Sequence, residues 1–150
     1  MSFTIITSLF FSHTNIYISL GFLLEMQVKE LMKRVYTIDK NIYLKEAAKI
    51  MSDKGYSCLI FISGNKMKGI ITERDMLKNF GANRKISEVM TKKVITINEN
   101  EDISKAMDVM KEKNIKKLPV VDSKNNLVGI ITLTDIAKHS DELEEGFFFN

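Results

Sequence analysis

Thr72 and Asp75 stand three residues apart in "GIITERD", and Thr132 and Asp135 stand three apart in "GIITLTD". A hydroxyl and a carboxylate at that spacing suit two chemistries. In a capping box the threonine closes the first turn of a helix and the carboxylate reaches back to the threonine N–H, a contribution of about 1 kcal/mol per cap. In a ligand site, a strand-to-helix junction offers free N–H groups and the positive end of a helix dipole to an anion. The acceptor-only carboxylate beside it then suits the vicinal hydroxyls of a ribose, as an acidic residue does in dinucleotide folds. Residue chemistry leaves both readings open.

Other chemistries have less to stand on. His13 and His139 show no metal-ligand spacing and give no partner for a catalytic triad. The single cysteine, Cys58, lies in the apolar run "CLIFI", which predicts a buried, inert thiol rather than a nucleophile. One cysteine makes no internal disulfide and agrees with a reducing, cytoplasmic setting. The 22 basic and 19 acidic residues leave a net charge of +3, too weak for a nucleic-acid face.

The paired motifs close two copies of one longer pattern. Thr37 laid on Thr96 aligns "TIDKNIYLKEAAKIMSDKGYSCLIFI" with "TINENEDISKAMDVMKEKNIKKLPVV"; upstream, "VKELM" matches "ISEVM". The copies cover residues 28–80 and 86–140, with a linker at 81–85 and an acidic, apolar tail at 141–150. "VYTI" and "VITI" read as strands. Leu44, Ala47, Ala48 and Met51, and Ile103, Ala106, Met107 and Met110, each form one apolar stripe at helical spacing. Asp39 or Asn41, and Asn98 or Asn100, suit the helix N-caps; Gly55 and Asn114 suit the exits. "CLIFI" and "LPVVD" then turn through "SGNK" and "SKNN" into "MKGIIT" and "LVGIIT", and a short helix ends each copy at "ERDMLKNF" or "LTDIAKHS". Each unit is therefore β-α-β-β-α, an α+β pattern. A unit of this size buries too little surface to be stable alone, so two copies packed face to face are expected to share a core.

Residues 1–24 carry no charged side chain. That length suits a membrane span, but Ser, Thr, Asn and His dilute it and no basic residue precedes it as in a secretory signal. The expectation is an apolar segment, 1–25, outside the core, either poorly ordered or owed to a translation-start artefact. A cover for another surface of the protein or for a dimer partner, and a membrane anchor, are the alternatives.

The doubled β-α-β-β-α unit, the G-h-h-T-x-x-D ending of each copy and "NIKKLPVVD" in the second resemble a tandem pair of CBS domains, named after cystathionine β-synthase. The resemblance implies a pseudo-twofold pair with ligand clefts between the copies. There the motif threonine approaches phosphate, the motif aspartate takes ribose hydroxyls, and strand residues sandwich an adenine. Carried over residue by residue, one cleft would use Thr37, Ile38, Ser57, Thr72, Arg74 and Asp75. The other would use Thr96, Ile97, Lys116, Lys117, Pro119, Thr132 and Asp135. Arg74 can hold a phosphate through two hydrogen bonds; its counterpart Thr134 cannot. Lys116 and Lys117 face neutral counterparts, Ser57 and Cys58.

The expected function is that of a regulatory or sensor module, not an enzyme. It would bind an adenine nucleotide (AMP, ADP or ATP ahead of S-adenosylmethionine or NAD), need no cofactor, and signal to a regulated protein. A homodimer is expected through Met76, Leu77 and Phe80 of one copy and Ile136 and Ala137 of the other. The competing reading is a structural oligomerisation module in which both T-x-x-D motifs are only caps.

Overall fold

A computed structural model describes residues 17, 20–64 and 66–148. In chain order the elements are a helix α1 at 20–25, α2 (Val28–Leu31), β1 (Thr37–Ile38), α3 (Leu44–Lys54), β2 (Cys58–Ser63), β3 (Lys66–Thr72), α4 (Glu73–Lys78), α5 (Ile86–Val89), β4 (Ile97–Asn98), α6 (Ile103–Lys113), β5 (Lys117–Val121), β6 (Leu127–Thr132) and α7 (Leu133–Phe148). The two copies thus form the expected α+β pair. Each builds a three-stranded sheet, β1-β2-β3 and β4-β5-β6. The first strand of each runs parallel to the second and the third returns antiparallel.

The helical stripes bury as their spacing predicts: Leu44, Ala47 and Met51 in α3, and Ile103, Ala106 and Met110 in α6. Both helices end in the left-handed region, Gly55 at φ 66° and Asn114 at φ 50°, where a glycine or asparagine costs least. The N-caps differ from expectation. They are Tyr43 and Asp102, and neither makes a side-chain capping bond. Instead the first N–H of each helix donates to a main-chain carbonyl, Leu44 to Arg84 and Ile103 to Met26.

Those two bonds expose an exchange between the copies. The leading helix of each copy packs in the other copy's core. Val28 of α2 lies with Ile97, Ile103, Leu118 and Ile131 of the second copy. Ile86 of α5 lies with Leu44, Leu59 and Ile71 of the first. Val28 and Ile86 are both fully buried, contributing roughly 1.5–3 kcal/mol each. A third cluster, Cys58, Ile60, Ile70 and Ile130, joins the two sheets.

The exchange also explains the glycine of each G-I-I-T. After each leading helix the chain crosses the other copy's last strand: Lys33 pairs with Ile130, and Thr91 with Ile70. A Cβ on Gly129 would lie 2.9 Å from the Lys33 carbonyl oxygen, and one on Gly69 2.9 Å from that of Thr91. Only glycine permits main chains to approach so closely.

Three expectations need correction. Residues 1–16 and 18–19 lie outside the described residues, but α1 places Leu23 in the core of the second copy, 1 % exposed. The leader is therefore not wholly outside the core, because the apolar face over α7 needs a cover. Ile136 packs on that same core instead of facing a partner. The last helix does not stop near residue 140 but runs to Phe148: "DELEE" carries no helix breaker, and the helix continues through Gly146. Among the described residues no helix is long and apolar enough to cross a membrane.

Candidate functional site

Each motif threonine ends a last strand, and each motif aspartate sits one turn into the following helix. In the first copy the Asp75 Oδ2 atom accepts from the Thr72 N–H at 2.9 Å and from its hydroxyl at 2.8 Å. In the second, Asp135 Oδ2 accepts from the Thr132 hydroxyl at 2.7 Å, and the Asp135 N–H donates to that hydroxyl at 3.2 Å. Capping therefore occurs in both copies, and it occupies one carboxylate oxygen of each. The other oxygens differ. Asp75 Oδ1 accepts from no described residue, whereas Asp135 Oδ1 holds the Lys33 ammonium. Burial acts to raise the Asp135 pKa, but hydrogen bonds from Lys33 and Thr132 and the Lys33 charge outweigh it and hold the carboxyl below its ordinary range.

Asp75 opens onto a cavity of about 440 Å³ between the copies, within the usual range for a small-molecule site. The first copy supplies Ile70, Thr72, Glu73, Arg74, Asp75 and Lys78; the second supplies Thr91, Lys93, Val94, Ile95, Asn114, Ile115, Lys116, Lys117 and Pro119. The wall is divided by chemistry. Ile70, Val94, Ile95, Ile115 and Pro119 make an apolar part, while Arg74, Lys78, Lys93, Lys116 and Lys117 bring five cations against the carboxylates of Glu73 and Asp75. Lys117 Nζ stands 4.0 Å from Glu73 Oε2, an ion pair across the two copies.

The cavity brings together Thr72, Arg74, Asp75, Lys116, Lys117 and Pro119, so it regroups the residues that the sequence divides by copy. The physical reason is the exchange of leading segments. The chain that follows α5 crosses β3 at Ile70, which carries the second copy's Val94 and Ile95 over the first copy's T-x-x-D. Thr132 and Asp135 do not line this cavity, and Asp135 is paired with Lys33. Thr37, Ile38, Ser57, Thr96 and Ile97 do not line the cavity. Thr37 and Ile38 pair with Ile60 and Phe61 in the sheet, and Ile97 is core. Val94 and Ile95, just upstream of Thr96, take the place assigned to it. Sequence reasoning also missed Lys78, Lys93 and Ile115; the signal available was the lysine pair Lys92–Lys93 ahead of "VITI". Cys58 is buried, and that burial, more than any neighbouring charge, pushes its thiol pKa up, which disfavours the reactive thiolate.

The described residues thus form one β-α-β-β-α unit written twice, with a cleft between the copies. The sequence pattern of the CBS domain matches residues 28–82 and 86–142, and the chain belongs to the CBS-domain family as a tandem pair. Among solved structures, the CBS domain pair of protein MJ0100, in complex with 5′-methylthioadenosine and S-adenosyl-L-methionine, superposes with a TM-score of 0.72 at 36% identity, covering 78% of this chain and 97% of that one. A CBS-domain protein of Agrobacterium tumefaciens superposes with a TM-score of 0.69 at 26% identity, covering 76% and 98%. An uncharacterized protein of Methanocaldococcus jannaschii is 39% identical over 108 residues, 71% of this chain and 36% of its own length. The inosine-5′-monophosphate dehydrogenase of Thermoplasma acidophilum is 37% identical over 106 residues, 71% of this chain and 22% of the enzyme. The chain thus spans about a third or less of these two relatives.

Proposed function

We propose that this CBS pair is a non-catalytic regulatory module of the cytoplasm that binds an adenine nucleotide in the Thr72–Asp75 cleft. The carrying observation is the pairing, in one cavity, of an apolar wall, a carboxylate with an open oxygen and five cations. The apolar wall suits the adenine, with Ile95 and Ile115 against its faces. Asp75 Oδ1 suits the ribose hydroxyls, while Oδ2 keeps the cap. Arg74, Lys116 and Lys117 suit phosphate, Arg74 through its planar fork. The relative MJ0100 in its complex with adenosine-containing ligands supports the adenosine part of the reading. The cations favour AMP, ADP or ATP over S-adenosylmethionine, whose sulfonium is itself positive, and over NAD. No cofactor is needed for binding.

The output passes to a regulated protein through a change of stability or shape on binding. Self-association fits the face of the first copy, where Leu77 is 75 % and Phe80 91 % exposed. A structural module without a ligand would share this face but would not respond to nucleotide.

A thermal-shift screen with AMP, ADP, ATP, S-adenosylmethionine and NAD tests the proposal. A ligand at about a hundred times its dissociation constant adds roughly 2.7 kcal/mol to folded-state stability, a rise of several degrees. Phosphorylated ligands should give the largest rise and remain unhydrolysed. No rise with any of the five at millimolar concentration would leave the structural reading standing.

A further inference from the structure

The two clefts are built from counterpart residues, but not with the same side chains. Lys33 and Thr91 hold matching places, each pairing its main chain with a last strand, at Ile130 and Ile70. Thr91 is short and lines the open cavity. Lys33 is long, and its ammonium sits on Asp135 Oδ1, the atom whose counterpart on Asp75 is open. With Thr132 on Oδ2, both oxygens of Asp135 are engaged from within.

The base slot differs in the same direction. Ile95 and Ile115 line the open cavity. Their counterparts in the alignment of the copies are Tyr36 and Tyr56. These two rings stack on each other, centroids 5.0 Å apart and planes 26° from parallel. That spacing is direct ring contact, and a purine cannot enter between them. The phosphate end keeps fewer cations: Arg74, Lys116 and Lys117 are replaced by Thr134, Ser57 and Cys58, while Lys78 and Lys93 correspond to Lys138 and Arg34.

We infer that the chain takes one nucleotide rather than two, because Lys33 on Asp135 and the Tyr36–Tyr56 stack close the second cleft from within. The inference rests on the nucleotide reading of the Thr72–Asp75 cleft. Lys33 acts as an internal stand-in for the ribose hydroxyls, and the tyrosine pair as a stand-in for the stacked base. Opening the second cleft requires both to move, so the number of sites is set by these three side chains and not by the T-x-x-D motif, which both clefts share.

Isothermal titration of the full chain with AMP tests this. The parent should bind one AMP per chain. Lys33→Thr combined with Tyr36→Ile and Tyr56→Ile installs the open cleft's residues, and it should bind a second AMP, more weakly than the first because three of the five cations are missing there. Lys33→Arg, which keeps the cation on Asp135, should stay at one. Two equivalent AMP sites in the parent would overturn the closure, and that measurement does not depend on any variant folding. A triple variant that melts cooperatively yet still binds a single AMP would overturn it as well. No binding of AMP by parent or variant is a different result: it overturns the nucleotide reading itself.

Discussion

Asp75 and Asp135 are the same residue in the same motif, separated by what reaches their second oxygen. The Lys33 pair makes the stability of the second copy depend on pH in a defined direction. Because the folded-state pKa of Asp135 is lowered, its stabilisation is complete above the ordinary carboxylate value of about 3.9. It is lost as pH falls through the lower folded value. The melting temperature of the parent should therefore exceed that of Asp135→Asn by a constant margin near neutrality, and the two should converge in strong acid. A margin that persists in acid would show that the carboxylate charge contributes nothing. Cys58 gives a simpler test: with its thiol pKa raised by burial, iodoacetamide should label it at neutral pH only after unfolding. Thr72 and Asp75 stood out in the sequence by type and spacing, whereas Arg74, Lys116, Lys117 and Pro119 came from the resemblance to CBS pairs; all six line the one cavity. Which of them share a cleft was not legible, since that depends on which copy each leading segment crosses. Val94 and Ile95 line the cavity where Thr96 and Ile97 were expected, and β4 is only two residues long and begins at Ile97, later than "VITI" suggests.

At the scale of elements, the exchange of α2 and α5 is the feature on which the cavity depends. Ile86→Ala lies in the second repeat by sequence, yet it removes packing against Leu44, Leu59 and Ile71 of the first. It should cost about 2–5 kcal/mol, and hydrogen exchange should speed up first in β2 and β3. Faster exchange confined to β5 and β6 would contradict the exchanged packing. Gly129→Ala should cost about 1–3 kcal/mol, because the new methyl meets the Lys33 carbonyl at a main-chain crossing that cannot easily give. Guanidinium melts measure both. The strands, the two long helices and their left-handed exits were legible because period and turn chemistry are local signals. The exchange was not, because "VKELM" and "ISEVM" look alike whichever core receives them. The length of α7 was missed for a related reason: the repeat suggested a stop where only the similarity ended.

For the whole molecule, two copies of one sequence pattern make one pair whose T-x-x-D surroundings and outer faces differ. Over the second copy α1 supplies a cover, with Leu23 beside Ile136. Over the first, Leu77 and Phe80 face solvent, so a twofold dimer should form through that copy. Leu77→Glu with Phe80→Glu should then lower the sedimentation mass at micromolar concentration to that of one chain, while a parent already monomeric would refute the dimer. The pairing of halves was legible from the repeat; the difference between them arises from single residues, Lys33 and Thr91, Tyr36 and Ile95, Tyr56 and Ile115, that no repeat pattern weighs. The central claim is that Asp75 serves a ligand as well as a cap. Its most direct test is the AMP affinity of parent and Asp75→Asn, measured by titration beside the melting temperature of each unliganded chain. Loss of a charge-assisted bond, on the order of 1.5–3 kcal/mol, should weaken AMP binding by roughly tenfold or more, while the weakened cap lowers the melting temperature by only about 2–4 °C. Equal affinity in the two chains, with the variant merely melting earlier, would mean that the repeated motif is a helix cap and nothing more.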